Sequence, residues 1–336
     1  MKLSIRTCSA VFLASLLCAS AGVSQIQKKA QVGFRFLENP TAAEAVGRGG
    51  TGILTTMNSN ALFWNPALTG WQTSAVDLSL NHTRYIADIN YSAGAATFRL
   101  GSFGVLGASL LMMDYGTFYQ TYAVDKSVNE QGYVETGTFS PKSYALGLSF
   151  SQQVSDRFSY GVQLKYVAQD LGDAWVAQDV NIVERGYKAN AMALDIGAVY
   201  DFAYKGIKFA ATMQNISKEI RYENESFPLP FAVSFGACVQ PLTFIDESDA
   251  MKALMLTVES RHQRDFGEKL KVGAEYKAYE FFALRAGYMT GYDERGFTAG
   301  LGITYPVSGV PLRADYAYEP FGVFGGVHYL SLGVSY

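Results

Sequence analysis

Charge is scarce in this chain. Asp, Glu, Lys and Arg make up 17% of its 336 residues, where about a quarter is usual for a soluble domain. The balance is also nearly even, with 27 basic and 30 acidic residues and a formal net charge of −3. No basic surface of the kind that grips nucleic acid or an anionic membrane surface is expected. Histidine is rarer still. His82, His262 and His328 are far apart, and none stands at metal-ligand spacing. There is no Gly-x-Ser-x-Gly elbow. No catalytic constellation, cofactor site or metal site emerges, and the expectation is a protein that is not an enzyme. Long apolar runs are missing as well: after the first residues nothing approaches the roughly 18 consecutive apolar positions of a spanning helix.

Cysteine is limited to Cys8, Cys18 and Cys238. The first two belong to a segment with the features of a secretory leader. Lys2 and Arg6 precede the apolar stretch "CSAVFLASLLCASA", which ends in the small-residue pattern Ala19-Ser20-Ala21. Leu17 before Cys18 argues against a lipid-modified cysteine. Removal of residues 1–21 leaves Cys238 alone, so the exported chain has no internal disulfide to form.

What the chain has in abundance is alternation. Hydrophobic residues make up 49% and aromatics 14%, and from Ser74 onward they recur at every second position, as in strands with two unlike faces. "KLKVGAEYKA" sets Leu270, Val272, Ala274 and Tyr276 against Lys271, Gly273, Glu275 and Lys277. "PLRADYAY" sets Leu312, Ala314, Tyr316 and Tyr318 against Arg313, Asp315 and Ala317. "VDLSLNH", "FTAGLGITY" and "HYLSLGVSY" divide in the same way. A sandwich interior would reject Glu275, Arg313 and Asp315, whereas a barrel lumen accepts them beside glycine, serine and threonine. Aromatics near segment ends, such as Tyr276, Phe281, Phe282, Tyr288 and Tyr305, fit girdles at two membrane interfaces.

The expected fold is all-β: a transmembrane antiparallel β-barrel of about fourteen strands. They fall near 75–83, 89–100, 102–113, 142–154, 158–170, 190–203, 206–214, 231–241, 251–261, 269–278, 281–289, 296–305, 310–318 and 327–336. Tight turns alternate with longer loops, chiefly 114–141, 171–189 and 215–230. Short turns are periplasmic in outer-membrane barrels, and an even strand count places both termini there. The division is then a leader (1–21), an N-terminal periplasmic or plug segment (22–74) and the barrel (75–336).

The plug segment contains "AVGRGGTGILTTMNSNALFWNPALTGW". Gly47, Gly49 and Gly52 spell the G-x-G-x-x-G of a dinucleotide turn, but that chemistry needs a strand before it and a long helix after it. Pro40 and the Asn-rich "TTMNSNALFWNP" deny both. The expected role of Gly47, Gly49, Gly50 and Gly52 is to let backbone turn tightly or pass close to a wall. Trp64, Asn65, Pro66 and Ala67 complete the motif, with Pro66 stopping a short turn before the first strand. A bulky change such as Gly50→Val is expected to disturb assembly or open a leak.

The run 34–71, together with "IADINYSAGAATF", "FGEKLKVGAEYKAYEFFALRAGY" and the closing "LRADYAYEPFGVFGGVHYLSLGVSY", resembles the PorV/PorQ family, within the wider fatty-acid-transporter-like group of outer-membrane barrels. Leu332, Val334 and Tyr336 match its final strand signal. Arg48 departs from it, replacing an apolar residue in Val46-Gly47-Arg48-Gly49-Gly50. The resemblance implies a part in type IX secretion, as a shuttle or attachment component. Its implied partners are outer-membrane lipid, a translocon barrel, surface-attachment proteins and the C-terminal signal domains of secreted cargo. The alternative is a transporter of hydrophobic compounds such as long-chain fatty acids, in which the same segment lines a passage and lipid or detergent occupies the lumen. A soluble sandwich is the third reading, and extraction without detergent would mark it.

Overall fold

The computed structural model describes residues 32–336 except 179–180, 223–224, 247, 249–252 and 279–280. The leader with Cys8 and Cys18 and the start of the plug segment lie outside the described residues.

Alternation produces the expected architecture. The strands are β1 (Val76–Arg84), β2 (Asn90–Arg99), β3 (Val105–Asp114), β4 (Phe118–Ala123), β5 (Tyr133–Phe139), β6 (Lys142–Ser155), β7 (Phe158–Gln178), β8 (Asn181–Asp201), β9 (Lys208–Ile216), β10 (Ile220–Tyr222), β11 (Glu225–Phe227), β12 (Ala232–Val239), β13 (Leu254–Gln263), β14 (Lys269–Ala278), β15 (Phe282–Met289), β16 (Phe297–Val307), β17 (Val310–Pro320) and β18 (Gly326–Ser335). Fourteen of them close an antiparallel barrel. Each pairs with its neighbour in sequence, once the side hairpins β4–β5 and β10–β11 are set apart. β1 meets β18 with Leu80 opposite Leu332, and Val76 and Tyr336 exchange backbone hydrogen bonds of 2.9 and 2.8 Å at the seam. Closure leaves no edge, so every strand's amides and carbonyls find partners without water, which hydrocarbon requires.

The two faces divide as the pattern requires. On β1, Asp77, Ser79, Asn81 and Thr83 are buried in the lumen while Leu78 and Leu80 lie outside. On β14, Lys271 and Glu275 point inward and Val272 and Tyr276 outward. Leu148, Leu164, Leu284, Leu330 and Leu332 are half or more exposed around the outside. Aromatics rim this band at one end with Phe202, Tyr204, Phe244, Phe281 and Tyr305, and at the other with Tyr144, Tyr288 and Phe297. The result is the lipid-facing belt of a spanning barrel.

The ends differ. At the first, most connections are short turns, and a 3-10 turn (Pro241–Phe244) opens the longer one between β12 and β13. At the second, regular structure replaces three of the expected loops. β4 and β5 form a hairpin within 114–141, β10 and β11 form another within 215–230, and β7 and β8 pair on to Gln178 opposite Asn181 across a bulge at Asp170/Asp173. Beyond the membrane both faces of such a hairpin meet water. The period-2 apolar signal therefore fades while the backbone ladder continues.

Residues 33–74 fill the lumen. Gly33 donates to Pro228 O (3.1 Å) at the hairpin end. The chain then descends through a 3-10 turn (Arg35–Glu38), the helix α1 (Ala43–Gly47) and two further 3-10 turns (Ser59–Phe63 and Pro66–Trp71). It reaches β1 at the short-turn end. The first described residues and Tyr336 thus sit at opposite ends of the barrel. The plug threads the lumen lengthwise, and strand parity alone does not register that crossing.

Candidate functional site

Two features of the lumen bear on function: how the plug is held, and what space it leaves. The plug is held by polar hooks from many strands. The amide of Ala43 donates to Ser331 Oγ on β18 (2.8 Å), and Gly49 donates to Thr298 Oγ1 on β16 (2.9 Å). Gly52 donates to Glu259 on β13 (3.1 Å), and Lys271 on β14 returns a bond to Gly50 O (3.0 Å). Ser59 donates to Asp77 on β1 (2.9 Å). The hydroxyls of Thr69 and Ser151 on β6 are hydrogen-bonded (2.6 Å), and Ser159 on β7 donates to Ala67 O (2.9 Å). A plug made largely of turns has few internal partners for its backbone. Luminal hydroxyls and carboxylates supply them, which is why strand interiors here carry Ser, Thr, Asp and Glu.

Arg48 carries the plug's strongest tie. It is 1% exposed and ion-paired with Glu275. Glu275 also receives Arg285 (2.6 Å), which reaches Asp315 (2.6 Å). The charge of Arg48 is thus met by a network across β14, β15 and β17. Charges in this setting are tolerable because each is paired.

The motif residues come together in the lumen, with different duties. Gly49 has φ +70° and packs on Gly287 of β15, where a Cβ on Gly287 would lie 2.0 Å from Gly49 N. Gly47 abuts Gly300 of β16 in the same way. Gly52 faces the ring of Trp64 inside the plug rather than the wall, and Gly50 faces the tip of Lys271. Trp64 donates through Nε1 to Thr41 O (3.2 Å). Asn65 caps the last turn by accepting from the amide of Ala67 (3.0 Å) and donates to Ile53 O (2.9 Å). Pro66 begins that turn, where the sequence reading has it stopping one. Proline's fixed φ and missing N–H suit the first helical position. Leu332 faces outward, and Val334 and Tyr336 follow it along the edge of the seam.

Above the plug, toward the hairpin end, lies a chamber of about 380 Å³. Its floor is Gly50, Leu62, Phe63 and Trp64. Leu111 and Met113 line one side. Arg261, Lys269, Lys271 and Arg295 line the other. These cations were not singled out from sequence. The available signal was the alternation of Glu259, Arg261 and Gln263 along β13. Among the described residues no cluster of three His, Cys, Asp or Glu is placed to hold a metal ion, and the described cysteine, Cys238, is buried in the wall. His82, His262 and His328 lie on the outer face of three different strands.

No family model matches the chain, and no curated protein matches it in sequence. Solved structures do match in fold. The toluene transporter TbuX of Ralstonia pickettii superposes with a TM-score of 0.57 at 13% identity, covering 88% of this chain and 97% of the transporter. A FadL homologue of Pseudomonas aeruginosa gives 0.56 at 13%, covering 89% and 98%. The monoaromatic hydrocarbon channel CymD gives 0.54 at 12%, covering 88% and 96%. At such identities the likeness establishes the shared barrel fold.

Proposed function

We propose that this chain is a non-enzymatic outer-membrane barrel whose chamber takes up small hydrophobic compounds from the hairpin side. The observation that carries the reading is the chamber itself. It is a pocket of about 380 Å³ between the plug and the barrel wall, where Leu62, Phe63, Leu111 and Met113 share the lining with charged and polar side chains. Its size falls in the usual range of small-molecule sites, which combine apolar surface with placed polar groups. The similar structures named for toluene and monoaromatic hydrocarbons support it. In this reading the short turns face the periplasm and residues 22–74 form the segment that seals the passage. A deletion strain should accumulate a labelled hydrophobic solute more slowly, with recovery on complementation. Unchanged uptake refutes the proposal.

A second reading is favoured by the hooks. Polar ties to β1, β6, β7, β13, β14, β16 and β18 hold the plug as a fixed seal. A sealed barrel works from its rim, where β4–β5 and the extended β7–β8 hairpin stand. In a PorV- or PorQ-like role these would meet a translocon barrel, attachment-complex proteins or the C-terminal signal domains of cargo. Deletion should then trap signal-bearing proteins in the periplasm, and normal surface display in the deletant excludes it.

A further inference from the structure

The lipid-facing belt carries a furrow. On β2 the outward residues Ala96, Gly94 and Ser92 are all small. Beside them on β1 stand Leu78, Leu80 and His82. On β3 Ala108 lies beside Ala96, whereas Leu110 and Met112 rise beside Gly94 and Ser92. Gly94 is half-buried although it faces outward, because Leu80 leans over it: a Cβ there would lie 3.4 Å from Leu80 Cδ2. The depression of about 740 Å³ extends from Leu312 on β17 to Leu146 on β6. It crosses the β1–β18 seam, where the barrel closes. The wall beneath is unbroken, since β1–β2 and β2–β3 stay in register along their whole length. The furrow is therefore relief on the outer surface and not an opening into the lumen.

Toward the hairpin end the furrow meets polar groups of both signs. Beyond Leu80 and Gly94 come His82 and Ser92, hydrogen-bonded through Nδ1 and Oγ at 3.1 Å. Next come Arg84 and Asn90, with Asp114 on the far side of β2. Arg84 holds the exposed Asp88 at 2.9 Å, but a guanidinium has further donors to give. Asp114 accepts from the amide of Gly116 (3.0 Å) and has lone pairs to spare. A cation and a carboxylate thus flank the mouth of an apolar furrow, two strand spacings or about 10 Å apart. That arrangement complements a lipid whose head carries both a phosphate and an ammonium. Arginine binds phosphate through charge-assisted, often paired hydrogen bonds, and an ammonium offers its donors to a carboxylate. Acyl chains gain dispersion contacts by lying in a depression between leucine ridges.

We infer that the furrow is a binding site for a phospholipid with a zwitterionic head. Its phosphate lies toward Arg84 and His82, its ammonium toward Asp114, and its acyl chains along Gly94, Ala96 and Ala108. The lipid covers the seam at which the sheet closes. The site is on the outer surface and is independent of what the lumen takes.

The test is native mass spectrometry of the full chain released from vesicles of phosphatidylethanolamine, phosphatidylglycerol and diacylglycerol in equal parts, with matched acyl chains. The first carries both head charges, the second the phosphate alone and the third the chains alone. Phosphatidylethanolamine should stay with the barrel. A charged hydrogen bond lost from the head corresponds to roughly tenfold or more in affinity, so phosphatidylglycerol should be retained about tenfold less and diacylglycerol least. Gly94→Leu fills the furrow with an apolar side chain and should abolish retention. Ala286→Leu, on the lipid face of β15 and outside the furrow, should leave it unchanged. Arg84→Gln with Asp114→Asn should erase the preference for phosphatidylethanolamine. Heat-modifiable migration shows that each barrel has formed, and the wild-type comparison decides the matter alone if the variants do not assemble. Equal retention of the three lipids, retention of none, retention that survives Gly94→Leu, or a preference that survives the double variant overturns the inference. A wild-type dimer that Gly94→Leu dissociates assigns the furrow to a second copy of the chain and overturns it as well.

Discussion

The contact between Gly287 and the plug gives the sharpest test of how the seal works. A methyl group at Gly287 would lie 2.0 Å from Gly49 N and 2.3 Å from Arg48 C, both main-chain atoms, where ordinary contact begins near 3.4 Å. The plug must retreat by well over an ångström. At that displacement the 2.9 Å bond from Gly49 N to Thr298 Oγ1 is lost. Overpacking costs about 1–3 kcal/mol, and leaving a buried donor unmatched adds about 1–3 kcal/mol. Gly287→Ala should therefore weaken plug seating by about 2–6 kcal/mol. The strands themselves keep their alternation, so the barrel should still insert. Conductance across a planar bilayer should rise and the temperature of the gel-mobility shift should fall. Gly101→Ala is the control. Unlike Gly287 it sits at positive φ, +59°, and a Cβ there meets nothing within 4 Å. Its cost is limited to about 1–2 kcal/mol of backbone strain, with no leak. If Gly287→Ala matches Gly101→Ala in conductance and in thermal shift, the account of a backbone-to-backbone seal is wrong.

Other substitutions separate strain from crowding and one face from the other. Gly50→Val places a branched residue at φ +69° beside the movable tip of Lys271, so about 1–2 kcal/mol of strain should lower the thermal transition with little added conductance. Asn65→Ala removes a helix cap and a bond to Ile53 O, and should lower the same transition by an amount matching about 1–2 kcal/mol. Leu332→Lys puts a charge on the lipid face near mid-membrane, costing about 2–4 kcal/mol. The heat-modifiable fraction recovered from membranes should drop. Ser331→Ala, one residue away on the luminal face, should assemble normally but loosen the plug, because it loses the bonds to Ala43 N and Asn81.

The barrel was legible because its rule is local. Each strand announces its own two faces, so segments such as 269–278 and 310–318 coincide with observed strands to within two residues. The rim hairpins were not legible, since β4 and β5 are largely exposed on both faces and no apolar period marks them. The plug was half legible. Its glycines and Asn65 declare tight turns, but their partners Gly287, Thr298 and Ser331 lie more than two hundred residues away on strands whose small residues look like ordinary lumen lining. Arg48 was visible as an oddity, and its meaning required Glu275 and Arg285, which only closure of the barrel brings to it. The chamber was least legible. Lys269 and Arg261 read as routine luminal charges until closure of the barrel sets them together at one side of the chamber.

The plug and the chamber place opposite demands on the same lumen. The hooks reach β1, β6, β7, β13, β14, β16 and β18, so displacing the plug as a body would break all of them together. Even at about 0.5–1.5 kcal/mol net for each, that sum rivals the whole stability of a small domain. Whole-plug expulsion is therefore no route for a solute. At the chamber floor the ties come from Lys271 to Gly50 O and from Gln214 to Phe63 O and Trp64 O, both at 3.2 Å. A ligand in the chamber sits next to these ties. Arg261 already holds Gln214 at 2.7 Å, and Gln214 holds the floor. Binding at the chamber thus couples to the plug at one corner while the remaining hooks stay fixed. Any movement that the barrel uses should begin at Gly50 and Trp64, with α1 and its contacts to β16–β18 staying in place.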